Sequence, residues 1–275
     1  MGSRHRVGPV TVRSGDVSLA VVDWPHPDVD APTIVLMHGL GATQRSMSKV
    51  AEHLPEWRVI TMDLRGHGKS SSAPWDFPSA IADLDAVVAH FDLERPYIGG
   101  HSLGGMVALQ YALAGRPVAG VVNIDGWGPG IASRYLGMDE TMVEARLDQI
   151  ATGDLSSRLA QAVAGLSRQS REGTTHQVLA LLNRADVVAW HRAVTVDSLA
   201  FNALAPAGRV VVTLMGKKMA RMQDSHRQGL RRDLATAAKE RPNLTVVEVD
   251  ATHSLITTHP KVVAAAINEF HRQRT

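Results

Sequence analysis

Short apolar runs rich in valine and isoleucine recur along this chain, with helix-spaced stretches between them, and this alternation constrains the fold more than any other feature. The runs are Val17–Asp23, Thr33–Met37, Arg58–Leu64, Pro96–Gly99, Val118–Ile124, Val210–Met215 and Leu244–Val249. Glycine, proline or polar residues bound each run, and a continuous apolar stretch of that length reads as a strand buried on both faces. Met47–Leu54, Ser79–Phe91, Leu103–Ala114, Ser225–Arg241 and Lys261–Arg272 read as helices. Ile81, Leu84, Val88 and Phe91 share one face of the second, whereas the third is apolar almost throughout and should be buried. Strands alternating with helices predict an α/β fold, a mostly parallel sheet with helices on both faces.

One stretch departs from the rhythm. Between Trp127 and Ala207 no strand is expected, and Leu147, Ile150, Leu155, Leu159, Val163 and Leu166 repeat at helical spacing. The chain therefore divides into a core of residues 1–126 and 208–275 and a helical cap of residues 127–207. An insertion at that point lies over the carboxyl ends of the strands, where ligands bind in open α/β sheets.

Gly100-His101-Ser102-Leu103-Gly104-Gly105 joins a predicted strand to a predicted helix and fits G-x-S-x-G. A serine on so tight a turn takes strained backbone angles, and the residues two before and two after it approach closely enough to require glycine. The following helix presents its positive end to the hydroxyl, which favours developing negative charge. With this context the chain resembles the α/β-hydrolase superfamily, whose sheet is of the eight-stranded type. Three further segments carry the resemblance: His38-Gly39-Leu40-Gly41, Asp63-Leu64-Arg65-Gly66-His67-Gly68-Lys69-Ser70, and Thr252-His253-Ser254. The likeness runs from about Thr33 to the C-terminus, the insertion aside.

The resemblance implies Ser102 as nucleophile, His253 as general base, and the main-chain N–H groups of Leu40 and Leu103 as oxyanion donors. His253 also follows from position, since it comes soon after a strand and before a helix, at the same sheet edge as Ser102. Among 13 histidines, His38 and His67 read as structural, His101 as a variable place in the turn, and His259 as a helix entry before Pro260. His176 and His191 fall in the insertion. The family's usual acid follows the seventh strand, but Gly216 is succeeded by Lys217, Lys218 and Met219. Asp125, after the sixth strand, and Asp224, before a helix it could cap, are the candidates, and neither is also possible. Trp127 either lines the pocket or anchors the lid.

These features imply acyl transfer to water from a small-molecule ester, lactone or thioester, with no metal or organic cofactor. A carbon–carbon bond hydrolase or lyase on the same residues is an alternative, and a non-catalytic ligand-binding protein is another. Ser102 stands where dehalogenases and epoxide hydrolases carry aspartate. The formal net charge of +2 does not suggest a nucleic-acid partner. The basic cluster Arg227–Arg232 reads as a solvated helix face. No apolar run is long enough to span a membrane, and Met1–Pro9 lacks the apolar segment of a secretory signal. The absence of cysteine excludes disulfides and thiolate sites, and suits a cytoplasmic protein. Nothing in the sequence sets an oligomeric state.

Overall fold

The computed structural model of the chain describes residues 6–127, 186–205 and 227–274. Eight strands form one sheet in the order β1-β2-β4-β3-β5-β6-β7-β8. They are β1 (Val7–Ser14), β2 (Val17–Trp24), β3 (Thr33–Met37), β4 (Arg58–Met62), β5 (Tyr97–His101), β6 (Gly120–Ile124), β7 (Ser198–Ala203) and β8 (Leu244–Val249). β1 pairs with β2, and β2 with β4, in antiparallel fashion. From β4 onward every pairing is parallel. The central strands β3, β5 and β6 are almost wholly buried, as two-sided coverage by helices requires.

A 3₁₀ turn (Gln44–Met47) leads into α1 (Ser48–Glu52). The other helices are α2 (Phe77–His90), α3 (Leu103–Leu113), α4 (Val187–Ala193), α5 over described residues 227–240, α6 (Leu255–Thr258) and α7 (Pro260–Arg272). On one face of the sheet Leu84 and Val87 of α2, Val107 of α3 and Val187 of α4 pack with Val35, Ile60, Ile98 and Val121. On the other, Val50 of α1 and Val263 and Ile267 of α7 pack with Ile34, Leu36, Val122 and Phe201. α2 begins two residues earlier than its apolar spacing predicts. Asp76 accepts a hydrogen bond from the Ser79 N–H (2.7 Å), and Pro78 occupies the first turn, so the cap sets the start.

Two strands correct the sequence reading. β1 is an edge strand, exposed at most positions and buried only at Val12, and so lacks the unbroken apolar run of a buried strand. β7 falls inside the 127–207 stretch expected to hold no strand. It occupies the sheet position between β6 and β8 that the sequence reading gives to Val210–Met215, a segment outside the described residues. Ser198-Leu199-Ala200-Phe201-Asn202-Ala203 is too small and polar to signal burial on both faces, yet every residue is buried. Of the expected cap, residues 128–185 and 206–207 lie outside the described residues.

A buried ion pair closes one side of the motif after β4. Arg65 reaches both carboxylate oxygens of Asp83 on α2 at 2.7 Å and also donates to the carbonyls of Pro74 and Ser79. The Asp83 side chain is 1 % exposed. Removing one partner of such a pair leaves the other charge in a site built for two, which costs about 3–5 kcal/mol. Asp83→Ala should therefore lower the unfolding free energy by about that amount in urea. A loss below about 1 kcal/mol, the range of an exposed pair, would contradict this account of the loop.

Candidate active site

Four loops converge because they leave the carboxyl ends of β3, β5, β6 and β8. Ser102 sits between β5 and α3 with φ 53° and ψ −118°, a conformation that disfavours any side chain. The sheet over-determines it. The Ser102 N–H donates to the Ile124 carbonyl at 2.9 Å, and the Ser102 carbonyl accepts from the N–H groups of Gly105 and Met106. The glycines two residues to either side have no room for a side chain. A Cβ on Gly100 would lie 2.5 Å from the Gly104 carbonyl carbon, and one on Gly104 would lie 2.5 Å from the Met37 carbonyl oxygen.

The His38–Gly41 loop is pressed against the serine. A Cβ on Gly39 would fall 2.9 Å from Ser102 Cβ. Two buried histidines hold that loop. His38 Nδ1 donates to its neighbour's carbonyl, Gly39 O, at 2.8 Å, while its Nε2 accepts from the Leu64 N–H at 3.0 Å. His67 Nε2 accepts from the Gly41 N–H at 3.2 Å, and its Nδ1 donates to Arg65 O at 3.1 Å. Asp63 fastens the other end by accepting from the N–H groups of Gln44 (2.7 Å) and Lys69 (3.0 Å). Leu103 opens α3, so its N–H is one of the first-turn groups with no intrahelical acceptor. The N–H groups of Leu40 and Leu103 have no acceptor among the described residues.

Asp125 follows β6 with φ 54° and is 2 % exposed. Its Oδ2 accepts from His253 Nδ1 at 2.6 Å and from Arg227 at 3.2 Å. Its Oδ1 accepts from Arg227 at 3.3 Å and from the Ala203 N–H at 3.1 Å. Burial pushes the carboxyl up, but the hydrogen bond and charge of His253, the Arg227 guanidinium and the Ala203 N–H outweigh it and hold the group below its ordinary value. Asp224, the other candidate acid, lies outside the described residues, as does His176. The side chain of His253 is 41 % exposed. Neither its Nε2 nor the Ser102 hydroxyl is hydrogen-bonded among the described residues. The acid–imidazole bond is thus formed, and the imidazole–serine bond is open.

Two neighbours escape the sequence reading. His101 Nε2 donates to the His253 carbonyl at 2.7 Å, and the two imidazoles lie 4.5 Å apart. His101 is therefore no idle place in the turn but ties the loop of His253 to that of Ser102. Arg227, expected on a solvated face, is buried against Asp125. Its apolar partners were a signal: Leu230, Leu234 and Ala237 continue a stripe from position 227 at helical spacing, and all are buried. Arg231, one turn on, does meet solvent and pairs with Glu248 at 2.7 Å.

His191 is fully buried. Its Nδ1 meets Ser198 Oγ at 3.2 Å, and its Nε2 meets Asn123 Nδ2 at 3.1 Å. Asn123 also accepts from the Gly126 N–H at 2.8 Å, so this network braces the turn that carries Asp125. The Trp127 indole donates to the Phe201 carbonyl at 3.0 Å, which anchors the residue to β7 and leaves only its ring surface for a ligand. Among the described residues no group of three or more metal-ligating side chains converges, and no helix is long and apolar enough to cross a membrane.

Burial holds His38 at about 4 and His67, His101 and His191 at about 3, against an ordinary 6.5. Their folded values lie below their unfolded ones, so between those limits the unfolded chain binds more protons. Stability is then complete above about 6.5 and falls as the pH drops, by up to about 1.4 kcal/mol per pH unit for each histidine. The urea midpoint should be flat above pH 7 and decline steeply from pH 6.5 to 5. A flat midpoint down to pH 5 would show that these histidines are not held neutral.

A family model described as alpha/beta hydrolase fold matches residues 32–184, just over half of the chain. A 2-succinyl-6-hydroxy-2,4-cyclohexadiene-1-carboxylate synthase from Serratia proteamaculans (strain 568) is 33 % identical over 108 residues, covering 38 % of this chain and 42 % of that protein. The magnesium-chelatase 30 kDa subunit of Rhodobacter capsulatus is 36 % identical over 130 residues, covering 45 % of this chain and 41 % of that protein. The chain thus spans less than half the length of these curated relatives in the regions that match. Among solved structures, an E-2-(acetamidomethylene)succinate hydrolase superposes with a TM-score of 0.66 over 98 % of this chain and 100 % of that one. At 20 % identity that likeness is one of fold.

Proposed function

This chain belongs to the alpha/beta hydrolase fold family, and on that premise we propose that it is a serine hydrolase cleaving a carboxylic ester, lactone or thioester through an acyl-enzyme on Ser102. One observation carries the reading: the 2.6 Å contact between His253 and a buried, ionised Asp125, at the sheet edge where Ser102 is held in a strained turn. Such a carboxylate fixes the imidazole with its proton on Nδ1 and leaves Nε2 to accept one from the serine. In this mechanism Ser102 Oγ attacks the carbonyl carbon as His253 takes its proton. The N–H groups of Leu40 and Leu103 stabilise the oxyanion, an effect worth several kcal/mol. His253 then protonates the leaving group, and water repeats the steps to release the acid and restore Ser102.

The substrate is a small molecule. The ring of Trp127 supplies apolar wall. The contact of Asp125 with His253 supports this reading over a purely ligand-binding role. The protein is cytoplasmic in this reading, as its lack of cysteine suggests.

The relative from Serratia, named as a synthase of a cyclohexadiene carboxylate and not as a hydrolase of esters, favours a second reading in which the same residues serve a carbon–carbon bond hydrolase or a lyase. A panel of esters and thioesters of graded acyl length, run in ¹⁸O-labelled water, separates the two. Ester hydrolysis predicts turnover and one solvent oxygen in the released carboxylate. No turnover of any member by folded protein would count against the hydrolase and leave the lyase reading.

A further inference from the structure

We propose that Arg227 is a positioning residue of the active site, which orients the Asp125 carboxylate toward His253 and sets the acid limb of the pH–activity profile. The inference rests on the serine-hydrolase reading above and deepens it.

The geometry is that of a fork. Both terminal nitrogens of the guanidinium face the carboxylate, one to each oxygen, at 3.3 and 3.2 Å. The nitrogen that meets Oδ1 also donates to the Ala203 carbonyl, so the fork is pinned to the end of β7. Nε has no acceptor among the described residues. The side chain is therefore committed through its terminal nitrogens alone. A planar guanidinium in this arrangement fixes the rotation of the carboxylate, which a single donor cannot do. Rotation matters because Oδ2 must point at His253 Nδ1.

The charge has a second effect. Asp125 and Arg227 are both buried, their side chains 1 % and 10 % exposed. In such a setting a cation beside the carboxylate offsets much of the attraction the carboxylate exerts on a protonated imidazole. Loss of the guanidinium would leave the carboxylate's charge uncompensated beside the imidazole. The other titratable groups facing this pair are His101 on β5 and, beyond it, His38 after β3, both neutral through burial. Arg227 is thus the cation that neutralises this carboxylate among the described residues.

The experiment compares wild type, Arg227→Gln and Arg227→Lys. It measures the second-order rate of labelling by a fluorophosphonate from pH 5 to 9, with circular dichroism to verify folding. The wild type is the control for the parent reading: if it is not labelled, that reading fails before the inference is tested. If it is labelled, Arg227→Gln should react roughly 10–100-fold more slowly, the usual cost of losing an orienting partner, and its acid limb should move upward by about one pH unit. Arg227→Lys keeps the charge without the fork. It should keep the wild-type limb while recovering only part of the rate. A folded Arg227→Gln with wild-type rate and limb would overturn the proposal, as would equal limbs in the two variants. Should Arg227→Gln not fold, Arg227→Lys decides. A rate within twofold of wild type overturns the positioning role, and a loss of tenfold or more with an unmoved limb supports it.

Discussion

Replacing Ser102 with alanine is expected to lower kcat by about 10⁶-fold, the scale seen when a nucleophile that works as one unit with its base is removed, while the chain still folds. Both halves of this prediction follow from the turn. The strained angles, φ 53° and ψ −118°, burden alanine as much as serine, since each carries a Cβ. The bonds that hold the turn are made by the main-chain N–H and carbonyl of Ser102, and the substitution leaves them alone. Only the hydroxyl is lost. Steady-state hydrolysis and urea unfolding of the same preparation check the two halves together. Activity retained within tenfold would move the nucleophile elsewhere. Inactivity accompanied by unfolding would say nothing against the turn's chemistry but would refute the claim that its main chain holds it.

Asp125→Asn should cost about 10⁴-fold in kcat, the scale for an amide in place of a triad acid. The carboxylate accepts from four donors: His253, the Ala203 N–H and both nitrogens of the Arg227 fork. An amide accepts through one atom only, so its NH₂ must point at a donor. Facing His253, it favours the imidazole tautomer with its proton on Nε2, which cannot accept from serine. Facing the Ala203 side, it opposes the guanidinium and the main-chain N–H. Asp224→Asn is the comparison, and it should leave activity near wild type. A kcat/KM profile over pH for both variants distinguishes them. The reverse order of effects would transfer the acid's role to Asp224.

What could be read from residues alone follows from how local each cause is. β3 appears at Thr33–Met37, where its apolar run puts it, because burial on both faces writes itself into consecutive residues; β8 also appears at Leu244–Val249, though as a partly exposed edge strand. The glycines at 100 and 104 are likewise legible, since a turn of fixed geometry demands them at fixed spacing. Strand β7 is not legible. Its burial depends on partners far away in sequence, such as the Trp127 indole on Phe201 and the flanking strands β6 and β8, so small and polar residues suffice there. The acid expected after Gly216 rests on the same misplaced strand, since β7 ends at Ala203.

The candidate site divides along the same line. Ser102, His253 and Asp125 each stand just beyond a strand, where their chemistry could be read. Their fastening was hidden. The bond from His101 to the His253 carbonyl spans 152 positions, and no local pattern records it. Arg227 was partly readable: the stripe of Leu230, Leu234 and Ala237 points its side chain inward, but the eye takes a run of arginines for a solvated face.

Intact-mass and peptide mapping after treatment with a fluorophosphonate tests the central claim most directly. The account predicts one phosphonyl adduct, on the peptide that contains Ser102, formed at neutral pH and abolished when His253 is replaced by alanine. Folded protein that takes up no adduct at Ser102, or labels equally well without His253, would contradict it.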